Sequence, residues 1–184
     1  MKVKGNIIKA RQVFVEERYG EKAWKDVLAT LPADDQKLFG GMILNITWFD
    51  LKAAMRLDES IVRVLGRGDN RVFEEMGRAS ARENLGGVHN NLVTPGDPQA
   101  FMKKAQLIYS FYYDVGHRTY EPTGLNSGTM TTHGAETFSA TDCSTVVGWY
   151  KEALGMCGAT GVQIKEVKCR ARGDSVCQYE VEWS

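Results

Sequence analysis

Residues 166–183 read Glu-Val-Lys-Cys-Arg-Ala-Arg-Gly-Asp-Ser-Val-Cys-Gln-Tyr-Glu-Val-Glu-Trp, and this stretch predicts how the chain ends. Two runs rich in Val, Tyr and Trp flank Gly173 and Asp174, which tolerate the positive φ of a tight turn. The pattern therefore predicts a β-hairpin. With the turn centred on Gly173, Cys169 and Cys177 lie opposite each other on neighbouring strands. Their Cβ atoms are then about 4.5–5.5 Å apart, which suits a disulfide or a shared metal ion.

The apolar alternation changes phase just before this hairpin. Apolar side chains occupy even positions in residues 162–164 and odd positions in residues 167–171. A strand of period two that changes phase contains a β-bulge, here beside Glu166. The bulge turns Glu166 toward the face that carries Cys169 and Cys177. An acid directed at thiols on an apolar face indicates a cation, and a divalent metal held by thiolates and a carboxylate meets that description.

The residues alone leave three states open for the cysteines: a metal site, unpaired buried thiols, or a disulfide. The N-terminus carries no signal-peptide core, and no apolar run reaches the roughly 18 residues that span a membrane. A cytoplasmic location is therefore expected, where thiols stay reduced, so the metal site is favoured over the disulfide. Structural zinc is the expected ion. Cys157 is the spare thiol, which could replace Cys143 as the fourth ligand.

Composition indicates one domain over residues 1–184, without a nucleic-acid partner. The chain has 23 basic and 23 acidic residues. Balanced charge of this kind gives no electrostatic footprint for nucleic acid. A chain of this length can bury a proper hydrophobic core.

Helical patterns come first along the chain and strand patterns come late. Residues 1–115 are predicted to form a mainly helical layer. The remainder is predicted as a hairpin (strands 118–123 and 129–133), a helix over 144–156, and the cysteine hairpin. This order predicts an α+β fold in which N-terminal helices pack on a four-stranded antiparallel sheet made of two hairpins separated by a helix.

Aromatic side chains predict a ligand pocket between the helices and the sheet. The candidates are Tyr109, Tyr112, Tyr113 and Trp149. Core packing explains the same residues, but buried tyrosine hydroxyls need partners, and an apolar pocket with a few polar groups is the usual form of a ligand site. No Ser/His/Asp or Cys/His arrangement carries a catalytic signature, so the chain is expected to bind rather than to catalyse.

The C-terminal quarter resembles the closing motif of vinyl-four-reductase-type (4-vinyl reductase) domains. The likeness lies in Gly-Trp-Tyr-x2-Ala-Leu-Gly at residues 148–155, followed by Glu-x2-Cys-Arg-Ala-x-Gly-Asp-x2-Cys-x-Tyr-Glu-Val at residues 166–181. These small-molecule-binding domains are related in fold to the small subunits of the TRAPP vesicle-tethering complex. In aromatic-sensing members, zinc near the ligand pocket is held by Cys, then Glu-x2-Cys-x7-Cys. The resemblance maps those ligands onto Cys143, Glu166, Cys169 and Cys177.

This resemblance implies a bacterial, non-catalytic sensor for a small hydrophobic or aromatic ligand, stabilised by structural zinc. A homodimer is expected, with a protein partner to receive any signal. The alternative is a dimeric interaction or scaffold module of TRAPP-like type. An enzyme or accessory protein of tetrapyrrole metabolism rests on the vinyl-reductase name alone.

The rest of the chain resembles an uncharacterised bacterial family of stand-alone paralogues of about this length, both over Val3–Trp24 and over residues 65–82. The segment Val3–Trp24 also resembles heme nitric-oxide-binding domains. That likeness implies a proximal heme histidine about 100 residues into the chain and a Tyr-x-Ser-x-Arg motif for the propionates. The chain has only His89, His117 and His133, and it lacks the motif, so no heme is expected.

Overall fold

A computed structural model describes residues 1–87 and 89–184 of the chain. Eight α-helices occur in the described residues: α1 (Gly5–Tyr19), α2 (Glu21–Leu28), α3 (Ala33–Gly40), α4 (Leu51–Val64), α5 (Arg71–Gly86), α6 (Pro98–Met102), α7 (Ala105–Tyr112) and α8 (Ser144–Met156). The strands are β1 (Lys2–Lys4), β2 (Trp48–Asp50), β3 (His117–Gly124), β4 (Ser127–His133), β5 (Gln163–Lys168) and β6 (Cys177–Glu182). Within this part of the chain, none of the helices is long and apolar enough to cross a bilayer.

The main sheet confirms the predicted α+β arrangement. Its four strands are antiparallel in the order β3-β4-β6-β5, so two hairpins separated by α8 pair through β4 and β6. A second sheet, β1 with β2, was not predicted. Each of its strands has three residues, too few for a period-two pattern to be recognised.

The buried side chains form two clusters. The helical cluster runs from Val3 to Met76 and is built by α1 to α5 with β1 and β2. The sheet cluster runs from Ala81 to Trp183 and lies between the main sheet, α6, α7, α8 and the end of α5. All four cysteines belong to the sheet cluster.

Helices α5 and α8 join the two clusters by direct backbone contact. A Cβ atom on Gly77 of α5 would overlap the carbonyl oxygen of Thr145, and one on Gly148 of α8 would overlap that of Glu74. Only glycine allows backbones to approach this closely. The crossing fixes the start of α8, and with it Cys143, against the helical layer.

Candidate metal centre and adjoining cavity

The four predicted metal ligands converge at one point. Cys143, Glu166, Cys169 and Cys177 each offer one ligand atom, and these four atoms lie within 4.8 Å of one another. The thiols are free and buried. The sulfurs of Cys143 and Cys169 are 3.8 Å apart. Two sulfurs bound at about 2.3 Å to one tetrahedral ion are separated by about 3.8 Å, so this spacing matches shared coordination.

Local backbone geometry explains why the final hairpin presents three of these groups together. Glu166 lies opposite Tyr179, whereas Lys168 lies opposite Gln178, so one extra residue bulges between them. The predicted bulge is therefore confirmed. Gly173 has a φ of 100° in the turn. The carboxylate of Asp174 accepts a hydrogen bond of 2.8 Å from the backbone N–H of Cys169, which fixes that residue above the turn.

Hydrogen bonds prepare Cys177 to act as a thiolate. Its sulfur accepts from the N–H of Arg170 at 3.4 Å and lies 3.6 Å from the hydroxyl of Thr137. The neighbouring thiol of Cys143, followed by these contacts, lowers the pKa of Cys177 to about 6. The same interaction raises the pKa of Cys143. Cys143 directly precedes the N-terminus of α8, where the helix dipole favours a negative charge.

Glu166 carries a buried oxygen that the described residues leave unsatisfied. Its Oε2 pairs with Arg172 at 3.1 Å, but its Oε1 has no hydrogen-bond partner. A buried, unpartnered polar atom is costly and calls for a missing partner. A cation between the carboxylate and the three sulfurs would supply one.

Cys157 lies away from this cluster. It follows the end of α8, opposite to the end that carries Cys143, and its sulfur accepts from the N–H of Thr94 at 3.5 Å. The four-residue set is therefore assembled with Cys143 rather than with Cys157.

The four aromatic residues that were predicted to form an organic-ligand pocket line a single cavity of about 50 Å³: Tyr109, Tyr112, Tyr113 and Trp149. The hydroxyl of Tyr109 donates to the carbonyl of Val115 at 2.7 Å. The hydroxyl of Tyr112 is buried and has no partner among the described residues. Burial raises the pKa values of both phenols, so they stay protonated.

Sequence reasoning missed three charged residues around this cavity. Arg11 and Arg118 both line it, and Asp142 lines the neighbouring cavity. Arg11 makes a bidentate ion pair with Asp58 at 2.8 and 3.0 Å. Burial, and then the charge of Asp58, raise the pKa of Asp142 to about 8. The strand pattern of β3 did carry a signal for Arg118, because it occupies the same face as Tyr120, two positions along the strand.

The chain has the fold of solved H-NOX proteins. An H-NOX protein from S. oneidensis in the Fe(II)NO state has a TM-score of 0.73 at 14% identity, covering 98% of this chain and 99% of that one. The Fe(II) unliganded protein from K. algicida gives 0.73 at 12% identity over 98% and 96%. The Fe(II)CO form of the Shewanella oneidensis domain gives 0.71 at 15% over 98% of each chain. Identities this low establish the fold alone.

These matches overturn the predicted family. The 4-vinyl reductase and TRAPP-like assignments are wrong, because the whole chain, not its last quarter, superposes on H-NOX proteins. A short cysteine motif constrains one hairpin and leaves the arrangement of the N-terminal helices undetermined. The predicted function rested on that assignment and is wrong as well. This applies to the zinc-stabilised sensor for a hydrophobic or aromatic ligand and to its scaffold alternative.

The predicted cofactors are corrected as well. We expected zinc and no heme, but H-NOX proteins are heme-binding domains, and the solved neighbours hold Fe(II). The missing propionate motif therefore did not separate this chain from a heme-binding fold. The N-terminal likeness over Val3–Trp24 was the more informative of the two signals.

The described residues nevertheless do not fit a heme. None of the three histidines lines either cavity. His89 stacks on Phe111 with ring centres 4.9 Å apart, and His117 stacks on His133 at 4.7 Å. A cavity of about 50 Å³ is far smaller than a porphyrin.

Sequence comparison identifies a family for the greater part of the chain. No curated protein matches the chain. The family described as "Protein of unknown function (DUF2378)" matches residues 59–184, which include α5 to α8, the main sheet and all four clustered ligands. The chain therefore belongs to the DUF2378 family.

Proposed function

We propose that this protein is a metal-binding domain in which Cys143, Glu166, Cys169 and Cys177 hold one thiophilic ion. The observation that carries the proposal is the convergence of four ligand atoms within 4.8 Å, three of them buried sulfurs. Thiolates select soft or borderline ions, and one carboxylate completes a four-coordinate shell.

The role of the ion would be to fasten the end of the chain to the helical layer. Cys143 precedes α8, whereas Cys169 and Cys177 border the turn of the last hairpin. Because α8 is locked to α5 through Gly77 and Gly148, a shared ion would join the sheet to both. A metal that binds only the folded chain contributes its binding free energy to folding.

Cobalt(II) is the sharpest probe of this proposal, because thiolate ligands give it intense charge-transfer absorption. Metal-free protein is titrated with Co²⁺ at pH 7.5 and followed by absorbance. The wild type is expected to saturate at one equivalent with a thiolate-to-cobalt band. Cys169→Ser should weaken Co²⁺ binding at least tenfold and reduce the band.

Cys157→Ser is the matched control, because Cys157 is an equally buried cysteine outside the cluster. It should titrate like the wild type. Equal binding by Cys169→Ser and the wild type, or a wild type without a charge-transfer band, contradicts the proposal. A second sample is incubated with hemin: a stoichiometric Soret band that persists through gel filtration would favour a heme domain instead.

We also propose that the protein self-associates through the segment before β2. Met42 and Ile46 are 88% and 78% exposed, and Leu44 and Trp48 extend the same segment. Contiguous exposed apolar side chains are typical of protein contact surfaces. Light scattering should give twice the 20.5 kDa chain mass for the wild type, and half of that for a Met42→Lys/Ile46→Lys variant. A monomeric wild type contradicts self-association without bearing on the metal site.

A further inference from the structure

Arg118 is a buried guanidinium without a carboxylate partner. Only 6% of the residue is exposed. Its Nε donates to the hydroxyl of Thr132 at 2.9 Å and its Nη1 to that of Tyr150 at 3.5 Å. Both partners are neutral, and no acid in the described part of the chain pairs with it. Burying a charge without a counter-charge costs several kcal/mol, as an order of magnitude, so the position calls for an anion.

Aromatic contacts do not replace that anion. The guanidinium carbon lies 5.1 Å from the ring centre of Tyr109 and 5.4 Å from that of Tyr150. Such cation–π contacts offset part of the cost of burying the charge, but they supply no counter-charge. They also leave the in-plane N–H groups free, and those on Nη2 have no partner among the described residues. Arg118 therefore retains directional donors for a ligand.

The cavity beside Arg118 has the chemistry of an anion site. Its polar lining consists of arginine, tyrosine, serine, threonine and tryptophan side chains, and its described lining contains no acid. The other guanidinium there, Arg11, is already paired with Asp58. The hydroxyl of Tyr112, a residue only 5% exposed, adds a buried donor with no partner. Arg118 and Tyr112 are thus two unsatisfied donors facing one cavity of about 50 Å³.

The acids of the neighbouring cavity form no ion pair with Arg118 in the described part of the chain. That cavity measures about 60 Å³ and shares Arg118 with the first. Of its two acids, Glu136 pairs with the N-terminal ammonium at 3.2 Å. Asp142 makes no ion pair with Arg118, and its Oδ1 has no hydrogen-bond partner among the described residues. The charge of Arg118 is therefore not neutralised from this side either.

We propose that the cavity lined by Tyr112 and Arg118 binds a small planar monoanion of the size of formate, acetate or nitrate. The free N–H groups of Arg118 receive the anion, because a planar guanidinium matches a carboxylate or a similar planar oxyanion. The hydroxyl of Tyr112 donates to a second oxygen. Val146, which lines both cavities, limits the size of the ligand. The site shares no ligand with the cysteine cluster.

Calorimetric titration of sodium formate, acetate and nitrate into the wild-type protein tests the proposal, with sodium chloride keeping the ionic strength constant. At least one of the three anions should bind saturably at one per chain. Formate or acetate binding without nitrate binding would identify a carboxylate site, and the reverse would identify an inorganic oxyanion site. Arg118→Met should weaken that binding at least thirtyfold, and Arg118→Lys at least fivefold.

A third variant keeps the test decisive if the arginine variants fold poorly. Val146→Phe fills the cavity and leaves Arg118 in place, so it should also abolish anion binding. Cobalt(II) stoichiometry is measured on every variant and should remain one per chain, which separates this outcome from that of the metal proposal. Unchanged affinity in Arg118→Met and Val146→Phe, or no saturable binding of any of the three anions by the wild type, overturns the inference.

Discussion

Arg11 on α1 and Arg118 on β3 line the same cavity and are buried to nearly the same degree, at 4% and 6% exposure. Their surroundings differ. Arg11 is held by both oxygens of Asp58 and donates also to the carbonyl of Met76. Among the described residues, the hydrogen-bond partners of Arg118 are two hydroxyl groups. The charge of Arg11 is thus neutralised by Asp58 within the fold. The charge of Arg118 has no counter-charge among the described residues and is available to a ligand.

The two halves of the chain also differ in how many buried polar groups lack a hydrogen-bond partner. Three of the four buried unpartnered polar atoms in the described residues belong to the second half of the chain, on Tyr112, Asp142 and Glu166. The free thiols lie there too. Native proteins rarely leave buried polar groups unpaired without a reason. The buried polar atoms that lack partners are thus concentrated in the half of the chain that carries the sheet cluster.

Replacing Arg11 should give the largest loss of stability. Arg11→Met leaves Asp58 buried beside Asp142 without a cation, which typically costs about 3–5 kcal/mol. Urea denaturation of the metal-free protein measures the free energy of unfolding. A loss below about 1 kcal/mol would mean that the helical cluster does not depend on this pair.

Removing a metal ligand should have the next largest effect, and only when metal is present. Free metal at about 100 times its Kd stabilises the folded wild type by about 2.7 kcal/mol. Cys169→Ser should lose most of this gain, whereas Cys157→Ser should keep it. Thermal unfolding with and without Co²⁺ measures the difference. A metal-induced gain of the same size in Cys169→Ser would place the ion elsewhere.

Replacing Arg118 should change the stability of the anion-free protein little. Arg118→Met removes an uncompensated buried charge along with two hydrogen bonds, so the net change should stay within about 1 kcal/mol. The comparison with Arg11→Met is matched in residue type and burial. If both variants lose the same free energy of unfolding in urea denaturation, the two arginines do not differ in how the fold neutralises them.

The smallest effect concerns the ion pairs that join α5 to α8. Burial opposes ionisation of Glu74, but hydrogen bonds from Lys151 and Arg78 lower its pKa overall. A carboxyl group whose pKa is lowered by folding stabilises the folded state at pH values above the ordinary pKa of glutamate. This stabilisation is lost as the pH falls through the pKa of the folded state. Because these side chains are partly exposed, Glu74→Gln should cost about 0.5 kcal/mol at pH 7, and this cost should shrink as the pH falls below the ordinary glutamate range. A pH-independent cost would point to packing instead.

The local features of the sheet could be predicted from the sequence because they depend on neighbouring residues. Alternation revealed the faces of the strands, the phase change revealed the bulge beside Glu166, and Gly173 revealed the turn. Together they brought Cys169 and Cys177 to one point with Glu166. Cys143 came from the spacing of a family motif, and the structure brings it to the same place even though that family assignment is wrong.

The remaining features depend on long-range packing. Alternation along β3 placed Arg118 on the same face as Tyr120, but it could not show that helices cover that face at Arg118. Its burial depends on α7 and α8, which lie on either side of β3 in the sequence. The family assignment failed for a related reason: a motif confined to the last hairpin was given more weight than the likeness over Val3–Trp24.

X-ray absorption spectroscopy of the protein, purified without chelators, tests the metal site most directly. We predict one metal ion per chain, whose first shell contains three sulfur atoms and one oxygen. Thiolate sulfurs should lie near about 2.3 Å if the ion is tetrahedral. One sulfur should disappear in Cys169→Ser and none in Cys157→Ser. A shell of nitrogen and oxygen alone, or a protein that holds no metal under these conditions and takes up none when it is supplied, would contradict it.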